Sequence, residues 1–154
     1  MPKNKRLDLG VQYACQRATL PGRKQVRTWV RRTLKATGRP GGQISVRFVD
    51  AEEGRRLNSG YRDKDYATNI LSFPYQIEPS VCGDLVLCAP VLVREANEQG
   101  KSLAAHCAHL VVHGLLHLQG YDHEASDEQA AEMEGHERRI LAALGYADPY
   151  RDES

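Results

Sequence analysis

Apolar and polar residues alternate in short stretches of the chain, and a period of two is typical of a half-buried β-strand. The first such stretch carries Leu7, Leu9, Val11 and Tyr13, separated by Asp, Gly and Gln. A second stretch repeats the alternation, and two later apolar stretches have the length and composition of strands. The predicted strands cover residues 7–13, 44–48, 69–75 and 84–88.

Between and after these strands, apolar residues recur at helical spacing or follow helix-capping signals. The predicted helices cover residues 22–37, 50–61, 90–99, 101–119 and 126–144. In the first helix, Trp29 lies among aliphatic residues at helical spacing and is interpreted as a core residue. Asp50 is the predicted N-cap of the second helix, with Glu53 completing a capping box. The buried stripe of the last helix is Met133, Ile140, Leu141 and Leu144.

Strands and helices are mixed along 154 residues without a linker, a repeat or a low-complexity tract. This length suits one folding unit, so the sequence predicts a single α+β domain over residues 1–154. The helix at 101–119 is apolar on nearly every face, which places it at the centre of the domain.

The longest apolar stretch, residues 103–118, contains four histidines, so the sequence predicts no membrane span. The N-terminus lacks the apolar core of a secretion signal, and cytoplasm is the expected location. The four cysteines form no Cys-x-x-Cys pair, and we expect buried free thiols rather than disulfides.

Charge is distributed unevenly along the chain. The first 47 residues hold 12 Lys and Arg against one acid, Asp8, whereas the remainder is net negative. Clustered basic residues favour a polyanion such as RNA, and Arg27, Arg31 and Arg32 on the first helix are candidate contacts. The alternative is that this basic helix face packs against the acidic half of the same molecule.

Four histidines, His106, His109, His113 and His117, are spaced 3, 4 and 4 residues apart in the central helix and therefore share one face. An i, i+4 histidine pair can place two ring nitrogens on one metal ion. Gly120, which follows His113 and His117, can end the helix in a left-handed conformation. The chain then turns back and can bring His123 to the metal as a third ligand. Three histidines with an open fourth position predict a catalytic zinc site, although nickel or copper could bind the same donors. The alternative is that these histidines bind no metal.

The spacing of His113, His117, Gly120 and His123 equals that of the metzincin zinc peptidases, except that Gly114 occupies the position of their catalytic glutamate. Without this general base, peptide hydrolysis is disfavoured. Phosphodiester hydrolysis, in which the metal stabilises negative charge, agrees better with the basic first third of the chain.

The segment His-Gly-Leu-Leu-His-Leu-Gln-Gly-Tyr-Asp-His at 113–123 resembles the signature of the YbeY family of bacterial metal-dependent endoribonucleases and ribosomal RNA maturation factors. A second stretch, residues 57–73, and the Gly-Asp-Leu at 83–85 agree with the same family. The resemblance covers about residues 44–150 through these motifs. Asn69 departs from the family pattern, in which many members have Asp.

The resemblance implies a four-stranded mixed β-sheet packed with about five helices and a metzincin-like zinc helix at its centre. It also implies one Zn²⁺ on His113, His117 and His123, with Arg62 as the essential positive charge of the site. The implied activity is single-strand-specific, zinc-dependent cleavage of RNA in ribosomal RNA processing, including maturation of the 16S 3′ end, ribosome biogenesis and ribosome quality control. The implied partners are precursor ribosomal RNA and the ribosome or small-subunit proteins, with no DNA or membrane partner.

Several residues, and the function itself, each have more than one interpretation. Arg62 is either a surface arginine or a bidentate phosphate ligand, with Lys64 as a neighbouring RNA contact. Asp84 is either a turn cap or a partner of a histidine N–H. His106 and His109 are either core histidines or the edge of a substrate groove. The competing functions are a non-catalytic RNA-binding ribosome-assembly factor with a structural metal and, less favoured, a zinc peptidase.

The aromatic residues suggest where RNA bases would stack. Tyr61, Tyr66 and Tyr75 are the candidates, because Trp29 is assigned to the core.

Overall fold

Four strands and five helices alternate along the chain. A computed structural model describes residues 6–16, 19–62, 68–122 and 124–150, and it describes Tyr61 and Arg62 by their backbone alone. The elements are β1 (Leu7–Ala14), α1 (Arg23–Ala36), β2 (Gly42–Val49), α2 (Ala51–Arg62), β3 (Ile70–Gln76), β4 (Val81–Cys88), α3 (Ala89–Gln99), α4 (Leu103–Leu118) and α5 (Asp127–Ala143). The predicted α+β class and element order are confirmed.

The sheet is mixed, as expected, with the strand order β1-β2-β4-β3. β2 pairs in parallel with both β1 and β4, whereas β3 runs antiparallel to β4 along one edge. Ile70 at the start of β3 lies opposite Leu87 near the end of β4. Helix α4 packs on β4 and on the edge strand β3.

Helix α4 occupies the centre of the domain, as its apolar composition predicted. It contacts α1, α3, α5, β3 and β4, and Val111, Leu115 and Leu118 are fully buried in the main core. Trp29 of α1 is buried in the same core, which confirms its assignment. A second cluster, including Val49 and Leu71, packs apart from this core together with Leu57 of α2.

The predicted helix ends agree closely with the structure. Pro90 lies in the first turn of α3, and Gly100 ends that helix with φ +66°. Ser102 caps α4 through a hydrogen bond accepted from the Ala105 N–H at 3.1 Å. These three helix ends thus each have a local sequence cause: a proline, a left-handed glycine and a serine N-cap.

The capping box at α2 is only half present. Asp50 Oδ1 accepts the Glu53 N–H at 2.9 Å, which confirms the N-cap. The Glu53 carboxylate, however, accepts a hydrogen bond from Arg47 Nη2 at 2.7 Å. The second hydrogen bond of the predicted capping box, from the Asp50 backbone N–H to the Glu53 side chain, is therefore wrong. The adjacent strand offers Glu53 a charged donor, which makes a stronger hydrogen bond than a neutral N–H.

Both predictions for Asp84 are wrong. β4 begins at Val81, opposite Gly42, so Asp84 lies within the strand rather than in a turn. Its Oδ2 accepts a hydrogen bond from the Tyr75 hydroxyl at 2.7 Å rather than from a histidine. Strand pairing with β2 extends β4 beyond the apolar stretch from which its start was predicted.

The four cysteines are free thiols, as predicted, although Cys15 and Cys82 are half-buried. Cys107 lies fully inside the main core, and burial raises the pKa of its thiol to about 12. Among the described residues, no helix is long and apolar enough to cross a bilayer.

Candidate metal centre and substrate cleft

The histidines of α4 form the predicted stripe. The ring centroids of His113 and His117 are 4.7 Å apart, and those of His109 and His113 are 6.2 Å apart. Helical geometry accounts for the stripe, because residues three and four apart lie on the same face. The structure therefore brings together two of the three predicted metal ligands.

A buried carboxylate, Glu137 of α5, lies behind this stripe. Its side chain is fully buried, and its Oε2 accepts a hydrogen bond from His113 Nδ1 at 2.5 Å. Its Oε1 lies 3.5 Å from His109 Nε2 and accepts a hydrogen bond from the Tyr150 hydroxyl. Glu137 is thus the point at which α5 and the C-terminal segment contact the histidine face.

The C-terminal turn holds Tyr150 in place. Asp148 Oδ1 accepts the Tyr150 backbone N–H at 2.8 Å and the Arg138 Nε at 3.2 Å. The Arg138 guanidinium carbon lies 5.3 Å from the centroid of the Tyr150 ring, within the range of a cation–π contact. These contacts position the tyrosine hydroxyl against Glu137.

The hydrogen bonds around Glu137 favour its charged form. Burial by itself raises the pKa of a carboxyl group, but the hydrogen bonds from His109, His113 and Tyr150 outweigh burial and lower the pKa of Glu137 to about 2. Burial and the adjacent carboxylate raise the pKa of Tyr150 well above its usual range. At neutral pH, Glu137 is therefore a buried anion and Tyr150 a neutral hydrogen-bond donor.

The group formed by His109, His113 and Glu137 could hold a metal ion, since its ligand atoms lie within 4.8 Å of one another. Sequence reasoning missed Glu137. Its signal was available, because Glu137 falls at i+4 from Met133 within the apolar stripe of α5, where a carboxylate requires compensation.

A cavity of about 580 Å³ opens beside these histidines. His113 and His117 line one wall, and residues 68–72 at the start of β3 line the other. Tyr150 also lines this cavity, which we call the cleft. The cleft is open enough for an extended ligand and has imidazole groups along one side.

The turn after α4 has the predicted geometry. Gly120 adopts φ +96°, a conformation that glycine accepts without strain, and the Tyr121 N–H donates to the Leu116 carbonyl at 3.1 Å. Asp122 Oδ1 then accepts the Glu124 N–H at 2.9 Å, which shapes the turn. His123 lies outside the described residues, so its role as third ligand stays a prediction.

Other predicted site residues are described only in part. The backbone of Arg62 ends α2, but its side chain lies outside the description, as do Lys64, Tyr66 and the Tyr61 side chain. Tyr75 is described, and its side chain is exposed on β3. The proposed roles of Arg62, Lys64 and the tyrosines therefore remain predictions.

The basic residues Arg27, Arg31 and Arg32 are exposed on α1. None of them forms an ion pair within the described ranges, whereas Arg39 pairs with Glu78 and Arg47 pairs with Glu53. This pattern does not support docking of the α1 basic face onto the acidic half of the molecule.

Packing accounts for Gly114 at the position where metzincins carry glutamate. A Cβ atom at Gly114 would lie 2.8 Å from Leu85 Cδ2 and 2.9 Å from Ile70 Cδ1, closer than carbon atoms normally approach. The absence of a side chain thus lets α4 lie close against β3 and β4. A glutamate here would meet the sheet rather than the cleft.

Comparison with known proteins settles the family. The model of a family described as "Endoribonuclease YbeY" matches residues 12–145. The chain belongs to the YbeY family.

Named relatives agree with this assignment. A protein named "Endoribonuclease YbeY" from Burkholderia lata is 57% identical to this chain, and the match covers 94% of this chain and 86% of the relative. A protein of the same name from Alkalilimnicola ehrlichii is 58% identical, and the match covers 94% of this chain and 92% of the relative. A YbeY protein of Delftia acidovorans is 53% identical, across 94% of this chain and 95% of its own. A solution structure of a Thermotoga maritima protein shares the fold, with a TM-score of 0.60 and 21% identity across 94% of this chain and 99% of that one.

The packing of this YbeY-family chain predicts opposite effects for two helical glycines. We expect Gly114→Ala to lower the melting temperature, because overpacking costs about 1–3 kcal/mol and exceeds the roughly 1 kcal/mol gain in helix propensity. Gly135→Ala on α5 is the matched control, since its Cβ would meet no atom closer than 3.5 Å and should stabilise the helix. Thermal denaturation of both variants measures the difference, and an equal rise in both melting temperatures would contradict the packing argument.

Proposed function

We propose that this chain is a metal-dependent endoribonuclease that hydrolyses phosphodiester bonds in single-stranded RNA. Membership of the YbeY family supports RNA cleavage as the activity. The observation that carries the proposal is the adjacent pair His113 and His117, which lines an open cleft while Glu137 supports His113 from behind. This arrangement provides imidazole ligands on the cleft side and a fixed negative charge on the buried side.

The proposed ligands are His113, His117 and His123, which would bind one zinc ion per chain. The donor set fits zinc, because neutral imidazoles are among its preferred ligands and three of them leave a position for substrate. His113 donates Nδ1–H to Glu137, so its Nε2 is the nitrogen that would bind the metal. When bound, zinc supplies Lewis-acid chemistry that favours attack on a phosphodiester.

Glu137 is proposed as a positioning residue rather than a metal ligand. Two donors on one tetrahedral zinc, each about 2.0–2.2 Å from the metal, are separated by roughly 3.4 Å. The Glu137 Oε2 and His113 Nδ1 are 2.5 Å apart, the separation of a hydrogen bond. Glu137 would therefore fix the tautomer and ring orientation of His113 and increase the basicity of its Nε2.

Arg62 is proposed to contact the scissile phosphate and stabilise the negative charge that develops there. A guanidinium group suits this role, because its forked donors bind phosphate bidentately. Lys64 and the exposed α1 residues Arg27, Arg31 and Arg32 would supply further electrostatic affinity for RNA.

The proposed biological substrate is precursor ribosomal RNA. The resemblance to YbeY proteins supports a role in ribosomal RNA processing, including the 16S 3′ end, ribosome biogenesis and quality control, with the ribosome or small-subunit proteins as partners in the cytoplasm. A metal and one arginine recognise phosphate rather than base, so RNA shape and partner proteins would select the cleavage site. DNA is not expected as a substrate.

A non-catalytic ribosome-assembly factor is the second candidate, since basic charge and a metal site would serve it equally. The open cleft beside His113 and His117 favours catalysis, because a structural zinc normally fills its coordination with protein ligands. A zinc peptidase is disfavoured, because Gly114 packs against the sheet and supplies no general base.

The activity is tested by incubating the protein with single-stranded RNA and with casein, each with and without chelator. We expect chelator-sensitive cleavage of RNA and no cleavage of casein. Elemental analysis should find one zinc per chain in the wild type and almost none in His117→Ala, which should also fail to cleave RNA. Arg62→Ala should keep its zinc but lose most cleavage.

Arg56→Ala, exposed on α2, is the control for loss of an arginine. Equal zinc content in wild type and His117→Ala would reject the metal site. RNA binding without cleavage would favour the assembly factor, and casein cleavage would favour the peptidase.

Another prediction concerns Glu137→Gln, which preserves the size of the side chain but removes its charge. We expect zinc affinity to fall about 10–100-fold, the usual effect of losing an outer hydrogen-bond partner of a metal-bound histidine. Competition with a chromophoric chelator measures this affinity directly. Glu128→Gln, at an exposed position in the first turn of α5, should leave zinc affinity unchanged. An unchanged zinc dissociation constant in Glu137→Gln would show that Glu137 does not position His113 for metal binding.

A further prediction concerns RNA affinity. Changing Arg27, Arg31 and Arg32 together to glutamine should weaken RNA binding without changing zinc content. Binding measured over a range of salt concentrations should lose about 0.7 in log–log slope for each phosphate contact removed. Arg94→Gln, exposed on α3, serves as a single-charge control. An unchanged slope in the triple variant would identify these arginines as a solvated helix face.

A further inference from the structure

A second cavity, of about 990 Å³, adjoins the cleft. The two cavities share four lining residues: Asn69, His109, Leu110 and Tyr150. We call this second space the side cavity. The side cavity therefore lies directly beside the cleft, and these four side chains border both spaces.

The polar part of the side cavity is built around Glu95 of α3. Glu95 Oε1 accepts hydrogen bonds from His106 Nε2 at 2.8 Å and from Asn69 Nδ2 at 3.1 Å. These contacts also account for Asn69, since an aspartate there would place two carboxylates together. The His106 side chain is 3% exposed, and its Nδ1 has no partner among the described residues.

Apolar and aromatic side chains form another part of the lining, beside the polar side chains of Gln99, Lys101 and His109. Leu110 and Leu141 form aliphatic lining, and Tyr146 and Tyr150 add aromatic side chains. An apolar space with a few convergent polar groups is typical of small-ligand sites. A flat, uncharged ring with polar edges matches this combination of surfaces.

Charge selects the chemical class of ligand. The lining holds the carboxylates of Glu95 and Asp148 and the ammonium group of Lys101, so it is not the cationic surface that a phosphate group prefers. A carboxylate has several lone-pair sites, so Glu95 can accept from an amino group of a base while it keeps its bonds to His106 and Asn69. Extruded RNA bases are commonly bound by such stacking and edge hydrogen bonds.

Distance places the side cavity within reach of a neighbouring nucleotide. His106 precedes His113 by seven residues on α4, which corresponds to about 10 Å along the helix axis. This separation is comparable to the span from a phosphate group to the far edge of an attached base.

We infer that the side cavity binds the base of a nucleotide adjacent to the scissile phosphate, with Glu95 accepting a hydrogen bond from its amino group. This inference rests on the proposed function, in which the cleft beside His113 and His117 holds that phosphate. It adds a base-specific contact to a metal site that recognises phosphate alone.

The test is an abasic scan of a single-stranded RNA with one mapped cleavage site. The zinc-loaded protein should lose about tenfold in kcat/KM when the base of one nucleotide next to that site is removed, and little elsewhere. Replacing adenine by purine at that nucleotide, which removes only the amino group, should lower kcat/KM several-fold. In Glu95→Ala, this adenine-to-purine difference should disappear.

Two further variants separate binding from folding. Ala105→Met places a larger side chain at the lining of the side cavity and removes no buried hydrogen-bond partner, so it serves as the test even if Glu95→Ala fails to fold. In this variant, removal of the base should no longer change kcat/KM. Glu98→Ala, exposed on α3, should behave as the wild type. A flat scan in wild type, or a scan unchanged in Ala105→Met, overturns the inference while leaving cleavage intact. Absence of any RNA cleavage instead rejects the proposed function and the inference with it.

Discussion

The buried charge of Glu137 is the constraint on which the rest of the site depends. An unpaired carboxylate inside a protein costs several kcal/mol, so the fold must bring donors to it. His113 and His109 come from α4, and Tyr150 comes from the C-terminal turn. These contacts tie α5 and the chain end to the histidine face, so the same interaction stabilises the packing and orients His113.

Helix α4 can present these histidines because the rest of its surface is buried. Its apolar residues pack on the sheet and on α1, α3 and α5, which leaves the histidine stripe beside the open edge formed by β3. Gly114 permits the close approach to the sheet, and Gly120 turns the chain at the helix end. The histidine spacing of the metzincin peptidases is thus retained, although the packing of α4 leaves no room for a glutamate at position 114.

Local signals in the sequence predicted most of the fold and half of the site. Helical spacing placed His113 and His117 side by side, and Gly120 adopts the left-handed conformation expected of it. The contacts of Glu137 and Asn69 were not predicted, because they join residues 24 and 26 positions apart in the chain. Hydrophobic periodicity carries no information about such pairings, which depend on how the elements pack.

The central claim is that the metal binds on the cleft side of His113, with Glu137 behind it. A crystal structure of the zinc-loaded protein, with anomalous scattering recorded at the zinc edge, tests this claim most directly. The account predicts one anomalous peak about 2.0–2.1 Å from nitrogen atoms of His113, His117 and His123. A peak coordinated by His109, His113 and Glu137 would contradict it.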